Sequence, residues 1–142
     1  MKTIILLFLA ALAAFAQGPG TYVAAGVGGP GVFAVVGVRL NDSTSTFTDL
    51  GLTGTFSVSQ GIVRNIFAVK SGSLNLRLGV LGEAGAAVTG DTGFAGAVGG
   101  VLSVDVSKWT KVPGLSVIAP MKVAKSGDRS YAVYAIGFSK AL

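Results

Sequence analysis

Three carboxylates, Asp49, Glu83 and Asp105, and four cations, Arg39, Arg64, Arg77 and Lys122, are the residues whose type and spacing could do chemistry in this sequence. Two carboxylates at the right separation can act as the acid and base of glycoside hydrolysis. The same carboxylates beside arginines can instead neutralise one another as buried salt bridges. The composition points to the second use. The chain has no cysteine and no histidine, which removes thiolate chemistry, disulfides, the commonest general base and the commonest metal ligand together. The phosphate-loop pattern, the nucleophile elbow and the Ser-x-x-Lys pattern are all absent. No catalytic residue, metal ligand or cofactor is therefore assigned, and the protein is expected not to be an enzyme.

Gly26-Val27-Gly28-Gly29-Pro30-Gly31 has the spacing of a dinucleotide-binding fingerprint, with Asp49 following at nearly the right distance. That fingerprint has to open a helix whose N-terminus receives a pyrophosphate. The residues that follow, Val32 to Val38, are β-branched and alternating, so the glycines are read as a hairpin turn. Asn41-Asp42-Ser43 is formally a glycosylation acceptor and is likewise read as a turn, as are Lys70-Ser71-Gly72 and Lys125-Ser126-Gly127.

The elements that position the charged residues begin after a leader. Met1-Lys2 supplies a positive start, Thr3 to Ala13 is an apolar run, and Ala14-Phe15-Ala16 gives the small-x-small pattern of a cleavage site. The run falls short of the roughly 20 residues that span a bilayer. Residues 1–16 are thus expected to be a cleaved signal peptide and 17–142 a single domain.

In the remaining chain, short β-rich runs are separated by Gly, Ser, Asn, Asp and Pro, and no helix-length amphipathic stretch interrupts them. Strands are expected over 21–28, 32–40, 46–58, 62–70, 73–84, 94–107, 115–125 and 130–139. Alternation is clearest in the fifth. Leu74, Leu76, Leu78 and Val80 share one face there, and Ser73, Asn75, Arg77 and Glu83 the other. The sixth sets Val98, Leu102, Val104 and Val106 against Ser103, Asp105 and Ser107. The second and third runs follow the same rule. In the fourth, Val63, Asn65, Phe67 and Val69 oppose Arg64 and Lys70, and in the seventh Leu115, Val117, Ala119, Met121 and Val123 oppose Ser116 and Lys122, with Ile118 and Pro120 diluting the polar face.

Only 12% of residues are charged and 51% are hydrophobic, more apolar than an ordinary soluble domain. An apolar face that persists around nearly all strands needs a partner. A closed barrel in lipid supplies one, because it leaves no unpaired strand edge. The expected fold is an all-β, eight-stranded antiparallel up-and-down barrel that spans a membrane. Its lumen would hold Arg39, Arg64, Arg77 and Lys122 against Asp49, Glu83 and Asp105, and with side chains filling so small a barrel it would not conduct. The alternative is a secreted or periplasmic β-sandwich or barrel acting as a binding module, with its polar face in water. The formal charge of +5 is dispersed without a basic run, which disfavours nucleic acid as a partner.

With its leader, its eight alternating strands and a final strand Tyr131-Ala132-Val133-Tyr134-Ala135-Ile136-Gly137-Phe138, the chain resembles the small eight-stranded outer-membrane β-barrel family. The resemblance implies residence in a bacterial outer membrane, with its lipid as surroundings. It also implies that the assembly machinery reads the last strand through Tyr134, Ile136 and Phe138, although here Ser139 to Leu142 follow the aromatic. Both termini and the turn holding Lys108-Trp109-Thr110-Lys111 would then be periplasmic. Phe56, Phe94, Trp109 and Phe138 would mark the two membrane interfaces. A structural or surface-interaction role is what such a barrel implies, with the ligand left open.

Overall fold

Val32, Ala34, Val36 and Val38 alternate with residues of the other face, and the same two-residue period recurs along the chain, which favours pleated strands over helix. In a computed structural model, described over residues 20–29, 31–52, 56–87, 93–126 and 129–142, these runs form eight strands. They are β1 (Thr21–Gly29), β2 (Val32–Arg39), β3 (Thr44–Leu52), β4 (Phe56–Ser71), β5 (Leu74–Ala87), β6 (Gly93–Asp105), β7 (Leu115–Ser126) and β8 (Arg129–Ala141). One short helix, α1 (Ser107–Thr110), lies between β6 and β7. Each strand pairs antiparallel with the next, and β1 pairs with β8 to close the barrel. The expected leader, residues 1–16, lies outside the described residues.

Local chemistry sets the turns at one end. Asn41 Oδ1 accepts hydrogen bonds from the Ser43 and Thr44 amides, both at 2.9 Å, and so folds the chain from β2 to β3. Gly72 takes φ +58°, the left-handed conformation that a two-residue hairpin between Ser71 and Leu74 requires. Between β6 and β7, Asp105 Oδ1 accepts from the Ser107 amide at 2.8 Å and starts α1. These three connections and the ends of β1 and β8 share one end of the barrel.

Closure is staggered. From Val23 the register runs through Val36, Thr48, Gln60, Ala84, Gly96 and Lys125 to Ser130, whereas the partner of Val23 across the closing seam is Lys140, ten residues further along β8. A stagger of that size in eight strands tilts them by about 40° to the axis. Strands of 8 and 9 residues such as β2 and β3 then rise roughly 20–25 Å, about the height of an apolar belt.

Inward aromatic rings pack on glycines directly across the ladder. Tyr22 faces Gly37, Phe33 faces Gly26 and Phe47 faces Gly61. A methyl group on Gly26 would come 2.5 Å from the Ile136 carbonyl oxygen and 2.6 Å from Phe33 Cε1, so only glycine fits between the β8 backbone and the ring. Gly26 is therefore a seat for an aromatic ring in a strand, and the residues expected to decide the motif, Val32–Arg39, form β2 and not a helix.

The expected third strand, 46–58, needs correction. β3 ends at Leu52 and β4 starts at Phe56, so Gln60 and Gly61, which fall in the gap between the expected third and fourth strands, lie within β4. Gly61 accommodates the Phe47 ring, and Gln60 exchanges side-chain hydrogen bonds with Thr48 at 2.7 Å and Thr46 at 3.2 Å on the outer face. A glycine that serves close approach has the same residue type as one that serves a turn.

Candidate functional site

The lumen is layered by the inward positions of the strands. Asp49 on β3, Glu83 on β5 and Lys122 on β7 project from alternate strands and meet inside. Lys122 Nζ donates to Asp49 Oδ2 at 2.6 Å and to Glu83 Oε1 at 2.7 Å. The three side chains are 11%, 8% and 6% exposed for Lys122, Asp49 and Glu83. At such burial a lone charge would be strongly destabilising, and mutual pairing offsets the loss of water. Asp49 Oδ1 and Glu83 Oε2 are buried without a hydrogen-bonding partner among the described residues.

The cluster divides the lumen. On the side of the chain termini it borders a cavity of about 380 Å³ and on the other a pocket of about 40 Å³. Asp49, Glu83 and Lys122 line both, so the ion cluster is the partition between them. Above this floor the larger cavity has an apolar waist that includes Val35, Phe47, Val63, Leu81, Val101 and Ile118. Its mouth is polar, with Arg39, Arg77, Asp105, Asn65 and Asn75. Tyr22 and Ser45 lie near the same mouth.

Of the seven residues expected to form one lumen network, Asp49, Glu83 and Lys122 come together. Arg39, Arg77 and Asp105 line the cavity mouth, and among the described residues they form no salt bridge. The Asp105 carboxylate is instead taken up by the Ser107 amide and hydroxyl. Arg64 must be corrected: it is exposed and sits on the outer face, pairing across the ladder with Thr44 and Val80, while Val63 and Asn65 point inward. A bulge between Asn65 and Phe67 is the cause. It inserts an extra residue and inverts the parity of the strand, so that Phe67 and Val69 face outward as expected while the residues before the bulge take the opposite phase.

The apolar waist was missed. The expectation that side chains would fill the lumen also fails, since the larger cavity is open space. One signal was available. Val32 to Val36 is apolar at every position, which means that both faces of β2 are apolar and that Phe33 and Val35 look into the barrel.

The four aromatics expected at interfaces fall toward the two ends. Phe56 opens β4 and Phe94 is the second residue of β6, both at the end away from the termini. Trp109 lies in α1 at the terminal end and is 57% exposed, and Phe138 lies on β8 toward the same end at 59%. Compared with known proteins, the chain matches no protein-family model, no curated protein and no solved structure.

Proposed function

We propose that this chain is an integral β-barrel of a bacterial outer membrane, with a lumen closed to flow and a structural or surface-interaction role. The observation that carries this reading is the outer surface. Val98 at 67%, Tyr134 at 64%, Met121 and Val123 at 62%, Ile136 at 61% and Val27 at 59% are all exposed there, from β1, β6, β7 and β8. Monomeric soluble proteins rarely expose a contiguous apolar surface of this kind. Lipid is the surrounding that makes it favourable, and a closed strand ladder is what lipid requires of a β-protein. The ion cluster across the lumen favours a barrel that blocks solutes over a pore. With no catalytic constellation assigned, rims and turns are the surfaces left to meet partners.

Membrane fractionation and gel mobility test the reading together. The protein is expected in the detergent-extracted envelope fraction, and the unboiled form is expected to migrate differently from the boiled one. Recovery in the soluble fraction without detergent, with identical mobility in both lanes, would replace it with the soluble binding module.

A further inference from the structure

We infer that the larger lumen cavity is a binding site for a small anionic amphiphile, whose acidic group meets Arg39 and Arg77 and whose apolar body fills the waist. Three observations carry this. The cavity, at about 380 Å³, lies within the range of small-molecule sites, and it opens at one end only, because Lys122, Asp49 and Glu83 form its floor. Its middle is walled by Val35, Val63, Leu81, Val101 and Ile118, contributed by five strands, so an alkyl chain would be enclosed on every side.

The charge at the mouth then selects the head group. Arg39 and Arg77 both line the cavity, and neither is in a salt bridge among the described residues. The carboxylate at the same mouth, Asp105, is turned to its own chain by hydrogen bonds from Ser107. Two guanidiniums that make no side-chain hydrogen bond or salt bridge among the described residues, beside an apolar well, suit a carboxylate, sulfate or phosphate group carrying a short chain. The floor adds no competing cation, because the Lys122 ammonium is engaged by both carboxylates. This inference goes beyond the proposed membrane role and stands on the cavity alone, since the mouth and waist are the same whether lipid or water surrounds the barrel.

The probe is octanoate, with octylammonium and octanol as matched controls of opposite and zero charge. Protein extracted from membranes is placed in phosphatidylcholine nanodiscs; protein recovered from the soluble fraction is titrated directly in buffer, so the two proposals fail separately. Methyl NMR reads the site. Octanoate is expected to give saturable shifts at the inward Leu81 and Val101 methyls and none at the outward Val98 and Leu102 methyls. Arg39→Gln with Arg77→Gln is expected to weaken octanoate about tenfold or more and to leave octanol unchanged. Val101→Trp, which fills the waist, is expected to abolish the shifts, and raised salt to weaken them without any substitution. Equal binding of all three probes, preference for octylammonium, or shifts that track the outward methyls would each overturn the assignment.

Discussion

The Lys122 ammonium of β7 stands 2.6 Å from the Asp49 carboxylate of β3, although 73 residues separate them in the chain. Glu83 of β5 takes a second hydrogen bond from the same nitrogen at 2.7 Å, so one cation braces three alternate strands. Lys122→Met would leave two buried carboxylates without their counter-charge, and breaking a buried pair in this way costs about 3–5 kcal/mol. The expected outcome is a large fall in the urea midpoint of Lys122→Met, and a smaller fall for Glu83→Gln, which preserves one ion pair. The triple variant Lys122→Met, Asp49→Leu, Glu83→Leu is expected to recover much of the loss. A triple variant as unstable as Lys122→Met alone would show that the lumen depends on packing volume and not on charge.

Sequence alternation was enough to place the outer face of β5. Leu74 to Val80 announce it by period alone, and the inward phase of Glu83 and Lys122 follows from the same period within their own strands. Which charges would touch was not legible, because contact across a lumen depends on the ten-residue stagger and on the register of every intervening pair. Hence Arg77, at the cavity mouth, and Lys122, in the floor, look equivalent in the sequence. Arg64 was misplaced for a more local reason: the bulge after Asn65 changes parity, and no residue type at 65–67 announces it.

Arg77 accordingly changes its expected weight. An interior ion pair would make Arg77→Ala far more destabilising than the exposed control Lys125→Ala. With Arg77 at the cavity mouth and outside the ion cluster, the two variants are expected to unfold within about 0.5 kcal/mol of each other. A loss above about 2 kcal/mol for Arg77→Ala alone would place its guanidinium in a buried pair.

Gly61 of β4 pairs across the ladder with Glu83, and Gly82 precedes Glu83 on β5, yet the two glycines differ in what surrounds them. A Cβ on Gly61 would lie 2.8 Å from both Glu83 Cβ and Gly82 O and closer still to the Phe47 ring, whereas one on Gly82 would meet nothing within 4 Å. Gly61→Val is expected to cost about 1–3 kcal/mol through overpacking, and Gly82→Val to be neutral or slightly stabilising. Adding Phe47→Ala to Gly61→Val should recover part of the loss if the ring is the obstacle. Chemical unfolding of the four proteins measures this coupling.

Trp109 is the one tryptophan of the chain, so its fluorescence reports a single place. It is 57% exposed in α1, with Lys108 before it and Lys111 after it, at the end where the chain termini lie. In a membrane barrel an indole so placed sits at the head-group level. Lipids brominated near the head group are expected to quench it more than lipids brominated near the chain ends. Quenching by neither, with full access to iodide, would put the turn in open water.

Ile136 and Leu40 have the same exposure, 61% and 60%, but different places along the barrel axis. Ile136 is in the middle of β8, paired with Val27, and Leu40 follows the last residue of β2 at the terminal end. If lipid surrounds the belt, Ile136→Arg carries the cost of a charge near the bilayer midplane, about 2–4 kcal/mol, and Leu40→Arg only about 0–1 kcal/mol. If water surrounds it, both positions are exposed surface and both arginines should be tolerated within about 0.5 kcal/mol. Reversible urea unfolding from liposomes is expected to give the first pattern, with Ile136→Arg alone shifted. Equal stability of the two variants would remove the membrane reading while leaving the barrel, its ion cluster and its cavity as they stand.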